Sequence, residues 1–379
     1  MRSLDSAREF CEQAHPGLLK ALENIPHHHR EAPGSPAVDL FRSHGGPGLL
    51  IPREYGGHGA DALEAVRVQR ALGALSPSVS AAAAMHHFTA AMLYTLALQP
   101  GRLNPPQLEL LGEIAPGRLL MASGWAEGRT QQNILVPSVR ATPTAGGYLL
   151  DGAKKPCSLS RSMDLLTASI AVPGADGTPE LALALVTVPA EGLSVHPFWG
   201  GEALAAAESD EVRLAGVFVP EELVIRTSPE DPGRLDDLQS AGFIWFELLI
   251  SAGYVGAVTL LAERVLERER GSATERAELA VRVDAAFGLL EGTARAVTAG
   301  LDGEEAVAQV LTARYAVQEL LSRSADQALE LLGGIDFIRS GEHARTATAV
   351  RALAFHPPGR AAASEPLLTW FTGGHLELS

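Results

Sequence analysis

The spacing of apolar positions changes twice along the chain. From Asp61 to Leu75 and from Ser78 to Leu98, Ala, Leu and Met recur at intervals of three and four residues with few breakers, which predicts two consecutive helices. Pro52 with Gly56, Gly57 and Gly59 predicts a turn before the first of them. Near Leu119 the period shortens. Ser138–Ala141, Gly147–Asp151, Leu165–Val172, Leu181–Val188 and Glu211–Phe218 are short, β-prone and separated by Gly or Pro, as strands are. Beyond a Pro- and Asp-rich stretch from Ser228 to Asp237, helical spacing resumes over Leu238–Arg268, Ala273–Thr298 and Glu304–Leu332, the last stopped by Gly333 and Gly334.

The expected fold class is therefore α+β: an N-terminal helical domain (residues 1–118), a middle antiparallel β domain (119–228) and a C-terminal helical domain (229–379). Long amphipathic helices in one stretch pack as a bundle, whose leftover apolar faces often meet another subunit. With 379 residues, 46% of them hydrophobic, the chain can bury a large core, so a disordered or fibrous protein is excluded.

A net charge of -15 opposes binding to nucleic acid or an anionic membrane, both of which need Lys and Arg. The two cysteines, Cys11 and Cys157, lie far apart without metal-ligand spacing, so neither a disulfide framework nor a zinc site is expected, and a reducing cytoplasm fits. Met1 to His15 lacks an apolar stretch of signal-peptide length, and no segment reaches ~18 uninterrupted apolar residues. His27, His28 and His29 follow Pro26 without a carboxylate pattern and read as solvated loop histidines.

Against this frame several motifs, in order along the chain, resemble the acyl-CoA dehydrogenase family. Leu50-Ile51-Pro52-Arg53-Glu54-Tyr55-Gly56-Gly57-His58-Gly59 is similar to that family's N-terminal PxxYGGxG turn. Ala126-Glu127-Gly128 stands where the family has TEP in its flavin loop, and Gly152-Ala153-Lys154 falls at the family spacing for GxK. Cys157-Ser158 occupies the place of the amide and hydroxyl brought to the flavin edge. Ser209 to Val212 with Val217 to Pro220 resembles the closing strand, and Leu331-Leu332-Gly333-Gly334 the LGG turn that approaches a neighbouring subunit's FAD pyrophosphate. The resemblance implies the acyl-CoA dehydrogenase fold with a C-terminal four-helix bundle, an FAD cofactor and a homo-oligomer, as a tetramer. It places cofactor contacts at Trp125, Ala126, Cys157, Ser158, Arg270, Gly333 and Gly334, and a substrate contact at Gln132. The chemistry agrees, since a flavin needs donors at its reducible edge and paired glycines let amides approach a pyrophosphate.

Departures from the family pattern bear on the reaction. The flavin-loop threonine is Ala126, the serine that helps hold acyl pantetheine is Gln132, and the aromatic covering the flavin is Pro156, with Trp125 close by as a substitute. Glu267-Arg268-Glu269-Arg270-Gly271 replaces the family's Arg and Phe before a glycine, leaving Arg270 as the diphosphate contact or a solvated helix end. The family's commonest base, a Glu, is absent from Leu353-Ala354-Phe355-His356. Glu247, a single carboxylate in an apolar run, is the candidate catalytic base or else the partner of an arginine on another helix. The function expected is an FAD-dependent acyl-thioester dehydrogenase acting on acyl-CoA or an acyl carrier protein, with the electron acceptor open. Two alternatives stand beside it: a flavin monooxygenase of the same fold, resting on the missing Glu and on His356, and a catalytically inert binding protein.

Overall fold

A computed structural model describes residues 1–129, 133, 135–174, 177–227 and 235–378. The chain opens with eight helices: α1 (Arg2–Ala14), α2 (Leu18–Glu23), α3 (His27–Arg30), α4 (Ala37–Ser43), α5 (Ala62–Leu75), α6 (Pro77–Ala97), α7 (Pro105–Gly112) and α8 (Ile114–Gly117). The start of α5 is set by a capping box in which Asp61 accepts the Glu64 N–H and Glu64 accepts that of Asp61. Immediately afterwards Ser76 caps α6 and Pro77 takes its first position, where a missing N–H costs nothing. The three consecutive histidines are not a loop but the one-turn α3, whose Arg30 donates to the carbonyls of Leu22 and Ile25 at 2.8 and 2.9 Å. Among the described residues no group of His, Cys, Asp and Glu is arranged to hold a metal ion.

Eight strands follow: β1 (Met121–Gly124), β2 (Arg140–Thr144), β3 (Gly147–Cys157), β4 (Leu165–Pro173), β5 (Pro179–Thr187), β6 (Leu193–His196), β7 (Asp210–Pro220) and β8 (Val224–Arg226). They form one sheet in the order β6-β7-β3-β2-β4-β5-β8, with β1 also on β4. The sheet is mixed rather than purely antiparallel: β1 runs parallel to β4, with Met121 opposite Leu165, and β2 meets β4 in parallel at Arg140 and Ala171. β1 is buried along its whole length, so it carries no alternation of polar and apolar positions for a sequence reading to detect.

The second helical region comprises α9 (Asp237–Glu267), α10 (Ala273–Thr298), α11 (Gly303–Leu332), α12 (Gly334–Arg339), α13 (Gly341–Val350) and α14 (Arg360–Phe371). α9 is the axis of the molecule, packed on α10, α11 and α13 and on α5 and α6 of the N-terminal region. It is apolar all round because it is surrounded; its composition would suit a membrane span, yet 94% of its most apolar window is buried inside the protein. Glycines permit the closest approach to α5: a Cβ on Gly73 would lie 2.0 Å from the Gly253 carbonyl oxygen, and one on Gly256 2.0 Å from that of Arg70. Sheet and helices are joined by polar pins: His86 Nδ1 on α6 accepts the Met121 N–H at 3.0 Å, and Arg42 on α4 pairs with Asp164, next to β4, at 3.0 Å. The two helical regions are pinned by Arg102, which pairs with Asp237 of α9 at 2.9 Å.

Candidate active site

β1 delivers the chain to Trp125, Ala126 and Glu127, which run alongside the end of β3. The Ala126 carbonyl accepts the Lys155 N–H at 2.8 Å, and the Cys157 thiol reaches the Ser123 carbonyl at 3.6 Å. Trp125, Ala126, Cys157 and Ser158 are thereby gathered at one edge of the sheet. A buried ion pair anchors this edge: Lys154 Nζ lies 2.7 Å from Glu127 and 2.9 Å from Ser169 Oγ, and Glu127 also accepts the Ser138 N–H at 2.9 Å. Burial pushes the Lys154 ammonium down to about 8, against the pull of Glu127. It pushes the Cys157 thiol up to about 12, so this sulfur is a packed thiol and not a nucleophile. Ser158 Oγ shares a 2.9 Å hydrogen bond with Ser209 Oγ. Among the described residues the buried indole N–H of Trp125 has no hydrogen-bond partner. Gln132 lies outside the described residues.

The other expected cofactor contacts form a second group, where the α9–α10 turn meets the end of α11. Gly271, at φ +73, fits so closely there that a Cβ would come within 2.5 Å of Leu331 Cδ2. The Arg270 side chain is exposed. Gly333 has φ +86, and a Cβ built on Gly333 or Gly334 would meet nothing within 4 Å, so their backbone faces open space. Arg268 pairs with Asp336, whose other oxygen lies 2.6 Å from His343 Nδ1.

Glu247 stands elsewhere, in the middle of α9, and is paired. Arg314 of α11 holds both of its oxygens, at 2.8 and 3.0 Å, and neither side chain is accessible to solvent. Burial pushes the Glu247 carboxyl up to about 7, opposed by Arg314. Of the two sequence readings of this carboxylate, the structure displays the ion pair. Arg314 escaped the sequence reading, although a signal exists: it falls on the buried stripe Val307, Leu311, Val317, Leu321 of an otherwise amphipathic helix.

His356 lies against the same pair. Its Nε2 is 2.9 Å from Tyr254 Oη, its ring is 5.6 Å from that of Phe246, and Phe246 in turn meets Phe88 edge-on at 5.4 Å. Burial, and then the charge of Arg314, push His356 down to about 3, so the imidazole is neutral at ordinary pH. α6 links this wall to the sheet, since it carries both Phe88 and the His86 that grips β1. The arrangement offers an aromatic surface and a neutral imidazole, while its carboxylate is taken up by a guanidinium. A carboxylate held in this way is poorly placed to remove a proton from carbon.

Comparison with known proteins agrees with that chemistry. The family model described as "Acyl-CoA dehydrogenase, N-terminal domain" matches residues 2–98. Over 381 aligned residues, covering 100% of both chains, the protein is 60% identical to an isobutylamine N-hydroxylase of Streptomyces viridifaciens. It is 27% identical over 341 residues to an amino sugar nitrososynthase of Streptomyces rubradiris, covering 84% of this chain and 78% of that one. Among solved structures, KijD3 in complex with FMN and a dTDP-linked amino sugar superposes with a TM-score of 0.85 at 22% identity, covering 98% of this chain and 95% of the other, a likeness of fold. The expected acyl-thioester dehydrogenase is overturned by the full-length likeness to an amine N-hydroxylase. The chain belongs to the acyl-CoA dehydrogenase superfamily of flavoproteins, in the family of the isobutylamine N-hydroxylase.

Proposed function

We propose that this protein is a flavin-dependent monooxygenase that hydroxylates the nitrogen of a small primary aliphatic amine. The observation that carries the reading is the pairing of the buried α9 carboxylate Glu247 with Arg314, beside His356 in a segment that lacks the Glu a dehydrogenase uses as its base. A reduced flavin bound here would supply the two electrons with which dioxygen is split, one oxygen atom entering the amine and the other leaving as water. The protein's own part is to bind the alkyl group on Phe88 and Phe246 and to offer His356 as the hydrogen-bond partner of the amine. An uncharged imidazole does not repel the substrate, and it can orient the nitrogen lone pair needed for attack.

The residues present fit a flavin. The unpartnered Trp125 N–H is a buried donor awaiting an acceptor, and Ser158 adds a hydroxyl at the same edge. Trp125, Ala126, Cys157 and Ser158 would hold the ring. The exposed Arg270 and the open backbone at Gly333 and Gly334 would take the diphosphate of an FAD carried by a neighbouring subunit, which makes FAD and a homo-oligomer part of the proposal.

The test supplies reduced flavin in air, with isobutylamine and a graded series of amines, and follows product by mass spectrometry under ¹⁸O-labelled dioxygen. A hydroxylamine carrying one labelled oxygen is expected. His356→Gln should lower its formation by about 10²-fold while oxygen uptake continues as hydrogen peroxide. Peroxide as the only oxygen product with every amine would refute the reading.

A further inference from the structure

We propose that Arg314, locked in place by Glu247, is the positioning residue that clamps residues 351–358 and so holds His356 against the aromatic wall. The chemistry it serves rests on the N-hydroxylase reading, but the clamp itself is a property of the chain alone. Residues 351–355 form a 3-10 turn, after which His356 is extended and is followed by Pro357 and Pro358. Two prolines remove two backbone donors, so the tail of this segment cannot be tied down by its own N–H groups. Apolar anchoring is slight as well: Leu353 is buried, whereas Phe355 is 84% exposed.

The segment is held instead by its carbonyl oxygens. Arg314 Nη2 donates to Leu353 O at 3.1 Å and to His356 O, and Nη1 donates to Pro358 O at 3.2 Å. Tyr315, the next residue of α11, adds a hydroxyl to Pro358 O at 2.8 Å. A planar guanidinium can serve three carbonyls and a carboxylate together, whereas an ammonium has three donors on a single atom and cannot span them. The role of Glu247 follows from the burial of Arg314. A guanidinium with no solvent access needs a counter-charge, and Glu247 provides it from α9 while fixing the direction of the fork. The carboxylate in the apolar run of α9 is thus accounted for without any contact to substrate.

Two variants separate clamping from folding. In the double variant Glu247→Leu with Arg314→Met, an apolar pair replaces the ion pair, so the core should remain stable, with a melting temperature within about 5 °C of the parent. Arg314→Lys keeps the positive charge beside Glu247 but loses the bonds to the carbonyls. Hydrogen exchange is measured on the flavin-free proteins, and hydroxylamine formed per dioxygen consumed is measured with reduced flavin and isobutylamine. Both variants are expected to exchange faster in peptides covering 351–360, with α5 and α9 unchanged, and to lose coupling by roughly 10-fold or more, the difference appearing as hydrogen peroxide. Parent-like exchange in the double variant, or loosened exchange with parent-like coupling, overturns the positioning role. If the parent yields no hydroxylamine, the N-hydroxylase reading fails by itself, and the exchange of the segment still decides the clamp.

Discussion

At the scale of single residues, the informative atoms are polar ones whose partners are missing or unexpected. Trp125 has a buried indole N–H with nothing to donate to among the described residues, although an unmet buried donor costs about 1–3 kcal/mol. A fold keeps such an atom at no benefit to its own stability, which points to a ligand. Trp125→Phe should therefore leave unfolding by urea unchanged or slightly improved, while weakening flavin binding by about fivefold, the equivalent of one hydrogen bond near 1 kcal/mol. Titration of flavin fluorescence against denaturation of the same variant checks both halves. A loss of stability without a change in flavin affinity would mean that Trp125 serves packing alone. Cys157, by contrast, has a thiol held in its protonated form and a contact to the Ser123 carbonyl, so its place at this edge is one of shape.

At the scale of elements, the packing of α5 on α9 depends on residues that look dispensable in a helix. Glycine inside a helix costs about 0.5–1 kcal/mol relative to alanine, and Gly256 repays that only because a Cβ there would collide with the Arg70 carbonyl at 2.0 Å. Gly256→Ala is expected to destabilise by about 3 kcal/mol or more through separation of the two helices. Gly288→Ala, on the exposed side of α10 with nothing within 4 Å of the new methyl, should instead stabilise by about 0.5–1 kcal/mol. Equal effects of the two changes in thermal melts would count against this account of the α5–α9 contact. The same contrast explains what was legible in the sequence. Periodicity located α5, α6 and the three long helices to within a residue or two, and it found five of the strands, because each has a consistent face. It missed β1, with no exposed face, and β6 and β8, which span 4 and 3 residues. It also drew the sheet as antiparallel, since the direction in which β1 joins β4 is set by where α8 delivers the chain. The site was legible in part: His356 and Glu247 stood out as residues, but their connection through Arg314 joins three distant segments, and no local pattern reports it.

At the scale of the whole molecule, the acidic net charge of -15 conceals a set of buried histidines that govern the response to acid. His15 is wholly buried, and burial pushes it down to about 4; His86 is likewise pushed down to about 4, and His87 well below its usual value. Between pH 6.5 and 4 the unfolded chain takes up protons on these rings that the folded protein refuses, so stability falls as the pH falls through that window. The parent profile is a sum of these contributions, and a single substitution isolates one of them. His15→Phe removes a titrating ring that lies beside Phe41 in the N-terminal core, 6.5 Å between centroids. For a group moved from 6.5 to about 4, the folding cost at pH 5 is ~2 kcal/mol greater than at pH 7, so the variant should gain that much on the parent between the two pH values. Urea unfolding of both proteins at pH 7 and pH 5 measures the gap directly. A gap that stays constant would mean that His15 is protonated to the same extent in the folded and unfolded chains, and the acid sensitivity would then have to come from His86 and His87 on α6, next to β1.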